Sequence, residues 1–142
     1  RIINGSISGS TTAGALSRFK WFLRVKPDML ILALGANDGL RGLSISRMEQ
    51  NLSACIELAR EKKVKIILAG MKIPPNYGEA YTRAFEQTFA SLSEKYDLTL
   101  IPFLLEGVAG RSELNQADGI HPNADGQRII AQTVLDILLE QL

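Results

Sequence analysis

The stretch M-L-I-L-A-L-G-A-N-D-G-L-R-G, Met29 to Gly42, begins as an apolar run and ends in turn-forming residues. The run Met29 to Leu34 shows no alternation of polar and apolar side chains, the pattern of a strand buried on both faces in a parallel sheet covered by helices. Directly downstream, Ser44 to Lys62 carries Ile45, Met48, Leu52, Cys55, Ile56 and Ala59 at spacings of three and four, which places them along one helical face. That face is expected to pack on the sheet. The same sequence of short apolar run, turn and helical period recurs outward in both directions. The other runs are Ile2-Ile3, Lys65 to Ala69 and Leu98 to Ile101, and the other helical stretches are about Thr12 to Arg24, Glu79 to Tyr96 and Asn123 to Leu139. Four strands alternating with four helices predict one α/β domain over residues 1–142, a flavodoxin-like three-layer α/β/α arrangement around a parallel sheet.

Composition narrows the function classes. The chain is 46% hydrophobic and 22% charged, as one globular domain with a single core requires. Its formal net charge is +1, and Lys and Arg are scattered rather than gathered into the stripe that neutralises many phosphates, so a nucleic-acid partner is not expected. The longest nearly pure apolar run, Met29 to Ala36, is far shorter than the roughly 20 residues that span a bilayer. Cys55 is the only cysteine, so no intrachain disulfide forms and redox chemistry does not reveal the compartment. The chain opens at Arg1 and runs straight into I-I-N with no signal peptide, and an upstream segment is expected to have been removed.

In a parallel α/β sheet the working residues collect beyond the carboxyl ends of the strands. Three stretches fall at that edge. The last is A-D-G-I-H-P-N-A-D-G, Ala117 to Gly126, which holds the only histidine. Asp118, three residues before His121 in a turn made by Gly119 and Pro122, is placed to hold Nδ1 and leave Nε2 free as a general base. Read blandly, the same residues form an exposed turn leading into a helix at Asn123. The second stretch is L-G-A-N-D-G-L-R-G, Leu34 to Gly42, where the Asn37 amide can donate to an oxyanion and where Asn37-Asp38-Gly39 also reads as an ordinary turn. The third is N-G-S-I-S-G-S-T-T-A-G, Asn4 to Gly14, in which Gly9 lets a backbone N–H approach the same oxygen, or in which the Ser/Thr residues merely cap the next helix.

Taken in order, S-I-S-G, G-A-N-D-G-L-R-G, P-P-N-Y-G and D-G-I-H-P-N resemble the conserved blocks of the SGNH (GDSL) hydrolases, most closely the bacterial arylesterases and the acyl-thioesterase/lysophospholipase group. The resemblance covers essentially the whole chain. It implies that His121 is the base, Asp118 its orienting carboxylate, and Gly9 and Asn37 the oxyanion donors. It places Gly35, Asp38 and Gly39 beside the substrate, with the Asp38 to Gly42 segment able to move over an acyl chain. Apart from the resemblance, the loop Met71 to Gly78 offers Ile73, Pro74 and Tyr77 as apolar lining for an acyl or aryl group, and reads equally well as ordinary loop packing. The resemblance implies a small ester or thioester substrate, with a lysophospholipid among the options, no cofactor and no metal. The family nucleophile is the Ser of a G-D-S-L block, and no such block occurs here. Ser6, Ser8 and Ser10 stand in the context of a different block. The corresponding strand lies inside the sheet in the family order 2-1-3-4-5, so a separate N-terminal fragment or an exchanged segment is expected to complete it. The resemblance also implies a periplasmic or secreted protein, with the cytoplasm left open. Two other classes remain. Ser8 to Thr12 between strand and helix also reads as a phosphate cradle of an FMN- or phosphate-binding flavodoxin-like protein, and a chain without a nucleophile also fits a non-catalytic module.

Overall fold

The computed structural model describes residues 1–142. Strands β1 (Met29–Leu32), β2 (Lys65–Ala69) and β3 (Thr99–Ile101) form one parallel sheet in the order β1-β2-β3. Leu30 pairs with Ile66, and Leu68 with both Leu32 and Leu100. The helices are α1 (Ala15–Phe22), α2 (Ala36–Leu40), α3 (Ile45–Glu61), α4 (Glu79–Tyr96) and α5 (Ala124–Glu140). The stretch expected to be helical from Thr12 to Arg24 is α1 flanked by single 3₁₀ turns.

Two layers cover the sheet because successive strand residues point to opposite faces. On one face Leu32, Ile66 and Leu68 pack with Met48, Leu52, Cys55 and Ile56 of α3, with Phe85, Phe89 and Leu92 of α4, and with Phe19 of α1. The Phe85 and Phe89 rings meet edge to face at 5.4 Å. On the other face Ile67, Ala69 and Ile101 lie under Val134, Ile137 and Leu138 of α5. Helix starts follow local chemistry: Ser44 Oγ accepts from the Arg47 N–H at α3, and Asn123 Oδ1 accepts from the Asp125 and Gly126 N–H groups at α5.

Two expectations differ from this structure. Ile2-Ile3 is not a strand: Ile2 is 93% and Ile3 40% exposed, and neither pairs with the sheet. A strand exists only through a hydrogen-bonded neighbour, and here β1 is the sheet's edge, with Ile31 39% exposed. A groove of about 280 Å³ runs between that edge and the Ile3–Ile7 segment, floored by Leu30, Leu32, Phe19 and Cys55. The second difference is that Asn37-Asp38-Gly39 is not a turn but lies within α2. Gly35, at φ 114°, reverses the chain after β1 so that the helix can begin.

Candidate active site

Asp118 and His121 sit in a turn built by its own backbone. The Gln116 N–H donates to His121 O at 2.7 Å, the Gly119 N–H to Gln116 O at 2.9 Å, and the Asn123 N–H to Leu114 O at 2.9 Å. Buried Asn115 anchors the turn by donating to Val108 O and Arg111 O. At the start of α5 there is no room for a side chain at position 126, because a Cβ there would lie 2.3 Å from Leu114 O. This glycine lets the last helix approach the turn that carries the histidine.

Within the turn Asp118 Oδ1 accepts from the Ile120 and His121 N–H groups, each at 3.0 Å, and Oδ2 lies 2.7 Å from His121 Nδ1. The His121 backbone N–H, then its ring, then the Ile120 N–H hold the Asp118 carboxyl down from 3.8 to about 2. The carboxylate is therefore ionised at neutral pH and accepts only, so Nδ1 carries the proton and the Nε2 lone pair is free. Nε2 has no partner in the chain, and the His121 side chain is 63% exposed. Because folding favours the ionised form, Asp118 contributes stability in full above pH 3.8, and this is lost as the pH falls towards about 2. A carboxyl-carbon titration by NMR is expected to give Asp118 a midpoint near 2. A midpoint at the ordinary carboxylate value would contradict the bonding described.

The second cluster joins the Gly9 turn to α2. Gly9 has φ +72°, and its N–H has no acceptor in the chain. Asn37 Nδ2 donates to Ser10 O at 3.1 Å, which uses one of its two N–H groups and leaves the other without a partner. Two guanidinium groups border the turn: Arg41 donates to Gly9 O at 2.8 Å and Arg18 to Ser10 Oγ at 3.2 Å. Asn37, Gly35, Ser10 and Arg18 line the groove beside β1, and neither Asp118 nor His121 does. Asn37 is thus tied to the residue after Gly9, and Asp118 directly to His121, while no hydrogen bond links the two clusters.

The residues expected beside the substrate are placed differently. Asp38 is only 4% exposed, and both of its oxygens accept from Thr12. The α2 helix turns its carboxylate inward, where Thr12 supplies two donors. Gly39 and Ile73 are also buried, and a Cβ on Gly39 would lie 2.6 Å from Phe85 and 2.8 Å from Ile73. Gly35 packs against Met48 and Phe89 as well as reaching the groove. Tyr77 donates its hydroxyl to Leu40 O, and Pro74 is exposed. Met71 to Gly78 therefore braces α2 through Ile73 and Tyr77 rather than enclosing an open pocket. Thr12 Oγ1 also accepts from Asn51 Nδ2. Neither bond of Thr12 was legible in the sequence, although Asn51 falls on the apolar face of α3, three residues after Met48 and four before Cys55, where a polar residue asks for a reason.

No alternative nucleophile stands at His121. The Ser10 hydroxyl donates to Ile7 O, and no serine of the Ser6 to Ser10 stretch bonds the imidazole. Burial pushes the Cys55 thiol up to about 11, so it stays protonated near neutral pH. No cluster of side chains with metal-ligand spacing is present.

Residues 1–129 match the GDSL-like lipase/acylhydrolase family. The chain is 41% identical over 135 residues to a protein named esterase TesA of Pseudomonas aeruginosa, covering 94% of this chain and 67% of that one. It is 38% identical over 142 residues to an arylesterase of Vibrio mimicus, covering 99% of this chain and 71% of the other. A crystal structure of the psychrotrophic esterase EstA from Pseudoalteromonas, inhibited by monoethylphosphonate, superposes with a TM-score of 0.93 at 37% identity, over 98% of this chain and 76% of that one. These relatives place the chain among the ester hydrolases rather than the flavodoxin-like binding proteins. The chain belongs to the GDSL-like lipase/acylhydrolase family and is a carboxylic ester hydrolase of the SGNH fold.

Proposed function

We propose that residues 1–142 supply the base, the orienting carboxylate and the oxyanion donors of a serine esterase, and that the attacking serine is carried by a segment outside these residues. The observation that carries this reading is the Asp118–His121 pair, whose free Nε2 faces no hydroxyl of the chain. In the reaction His121 Nε2 takes the proton from the serine hydroxyl as its oxygen attacks the acyl carbon. The Gly9 N–H and the unpartnered Asn37 N–H meet the oxygen that becomes negative. The imidazolium then returns its proton to the departing alkoxide or thiolate, and water releases the acyl group by the same steps in reverse order. The serine-bearing segment lies as an extended strand in the groove along β1, pairing with the free edge and covering Ile31. A strand there brings its carboxyl end to the same sheet edge as Gly35 and Asn37.

The substrates are small aryl or short acyl esters and thioesters, with lysophospholipids in the same class, and the protein works in the periplasm or outside the cell. No helix is long and apolar enough to cross a membrane. The 142-residue chain alone is expected to show no turnover of p-nitrophenyl butyrate above background and no fluorophosphonate label on Ser6, Ser8 or Ser10. Stoichiometric labelling of any of those serines, located by mass spectrometry, would mean that a local hydroxyl does the work and would overturn the reading.

A further inference from the structure

Asp38 is a buried carboxylate with no cationic partner. A charge in such a place must be satisfied by hydrogen bonds, and here Thr12 provides them: its N–H at 2.9 Å from Oδ2 and its hydroxyl at 2.6 Å from Oδ1. Thr12 Oγ1 in turn accepts from Asn51 Nδ2 at 3.0 Å, which ties the pair to the long helix α3. One residue earlier on α2, Asn37 bonds Ser10 O. Two consecutive residues of a short helix therefore grip two positions of the turn that follows Gly9.

The rest of α2 has nowhere else to go. Gly39 is pressed on Phe85 and Ile73 with no room for a methyl group, and the Tyr77 and Tyr81 hydroxyls hold Leu40 O and Leu43 O, each at 2.7 Å. The Asp38–Thr12 bonds then act with the Asn37–Ser10 O and Arg41–Gly9 O bonds in holding the Gly9 turn against α2. Free donors converge on an oxyanion only if the separation between the Gly9 N–H and the Asn37 amide is held, and a displacement of about 1 Å at a site of this kind can cost 10²-fold in rate.

We infer that Asp38, through Thr12 and Asn51, is a positioning residue that helps set the spacing of the two oxyanion donors. This rests on the reading of Gly9 and Asn37 as those donors. Asp38 itself touches neither substrate nor serine. The clamp explains why a carboxylate stands next to the oxyanion asparagine without lining the groove.

Thr12→Val removes one donor and keeps the shape, and Thr12→Ser keeps the donor. In a serine-bearing form of the protein, Thr12→Val is expected to lower kcat about 10-fold with KM changed less than about twofold, and Thr12→Ser to restore it. In an Asn37→Ala background Thr12→Val is expected to cost less than about twofold more, since the donor it positions is gone. An equal loss in both backgrounds would mean a merely structural role and overturn the inference. The 142-residue chain gives a readout independent of activity. In proton–nitrogen spectra of Thr12→Val, the Gly9 amide and the Asn37 side-chain amide are expected to shift while the Phe85 and Phe89 amides do not. Unchanged Gly9 and Asn37 signals would overturn the inference, whereas an inactive serine-bearing parent would count against the catalytic reading and leave this spectral result standing.

Discussion

Asp118→Asn in a serine-bearing form of the protein is expected to lower kcat by about 10⁴, the size found for the same change in Ser-His-Asp proteases. The carboxylate makes three contacts inside its own turn, two to backbone N–H groups and one to the imidazole at 2.7 Å. An asparagine oxygen can still accept from the Ile120 and His121 N–H groups, so the turn keeps its shape. The amide that replaces Oδ2, however, presents N–H towards Nδ1, which forces the other tautomer and puts a proton on Nε2, where a lone pair is needed. It also removes the negative charge that stabilises the imidazolium during attack. The expected result is an intact far-ultraviolet spectrum with kcat reduced about ten-thousandfold. A rate within tenfold of the parent would make Asp118 a turn former and nothing more.

Asn37→Ala is expected to cost on the order of 10²–10³ in kcat, about 3–4 kcal/mol, with little change in KM, because the bond to the oxygen strengthens only as charge develops there. The same substitution deletes one bond to Ser10 O, worth about 1 kcal/mol of stability. Both effects are measurable on one preparation. A lowered melting temperature with unchanged kcat per folded molecule would reduce Asn37 to a brace between α2 and the Gly9 turn.

How much of this was legible depended on the range of the interactions. Glu79 to Tyr96 was read with the bounds of α4, because an amphipathic helix writes its own period. Asp118 and His121 were paired correctly in space because i,i+3 neighbours in one glycine-containing turn need no other part of the chain. Ile2-Ile3 failed as a strand because pairing is supplied by a neighbour, and the residues themselves carry only the propensity. The alternative reading of N-D-G as an ordinary turn rests on residues that each favour one locally. The Gly35 reversal and the fit of Gly39 against Phe85, 46 residues away in sequence, make it a helix instead. Asp38 stands beside the substrate only by what the family resemblance implies, and its partner Thr12 lies 26 residues upstream where no periodicity announces it.

The central claim is that this chain carries every part of an esterase site except the nucleophile, and complementation tests it most directly. Mixing the 142-residue chain with a separately made polypeptide that bears a G-D-S block in a strand-forming context is expected to create p-nitrophenyl butyrate hydrolysis that neither component has alone. Asp118→Asn should abolish it, and a fluorophosphonate should label the serine of the added segment. If that segment binds the chain, as shown by a change in the Leu30 and Ile31 amide signals, and still no hydrolysis appears, the account of Asp118, His121, Gly9 and Asn37 as a catalytic set is contradicted.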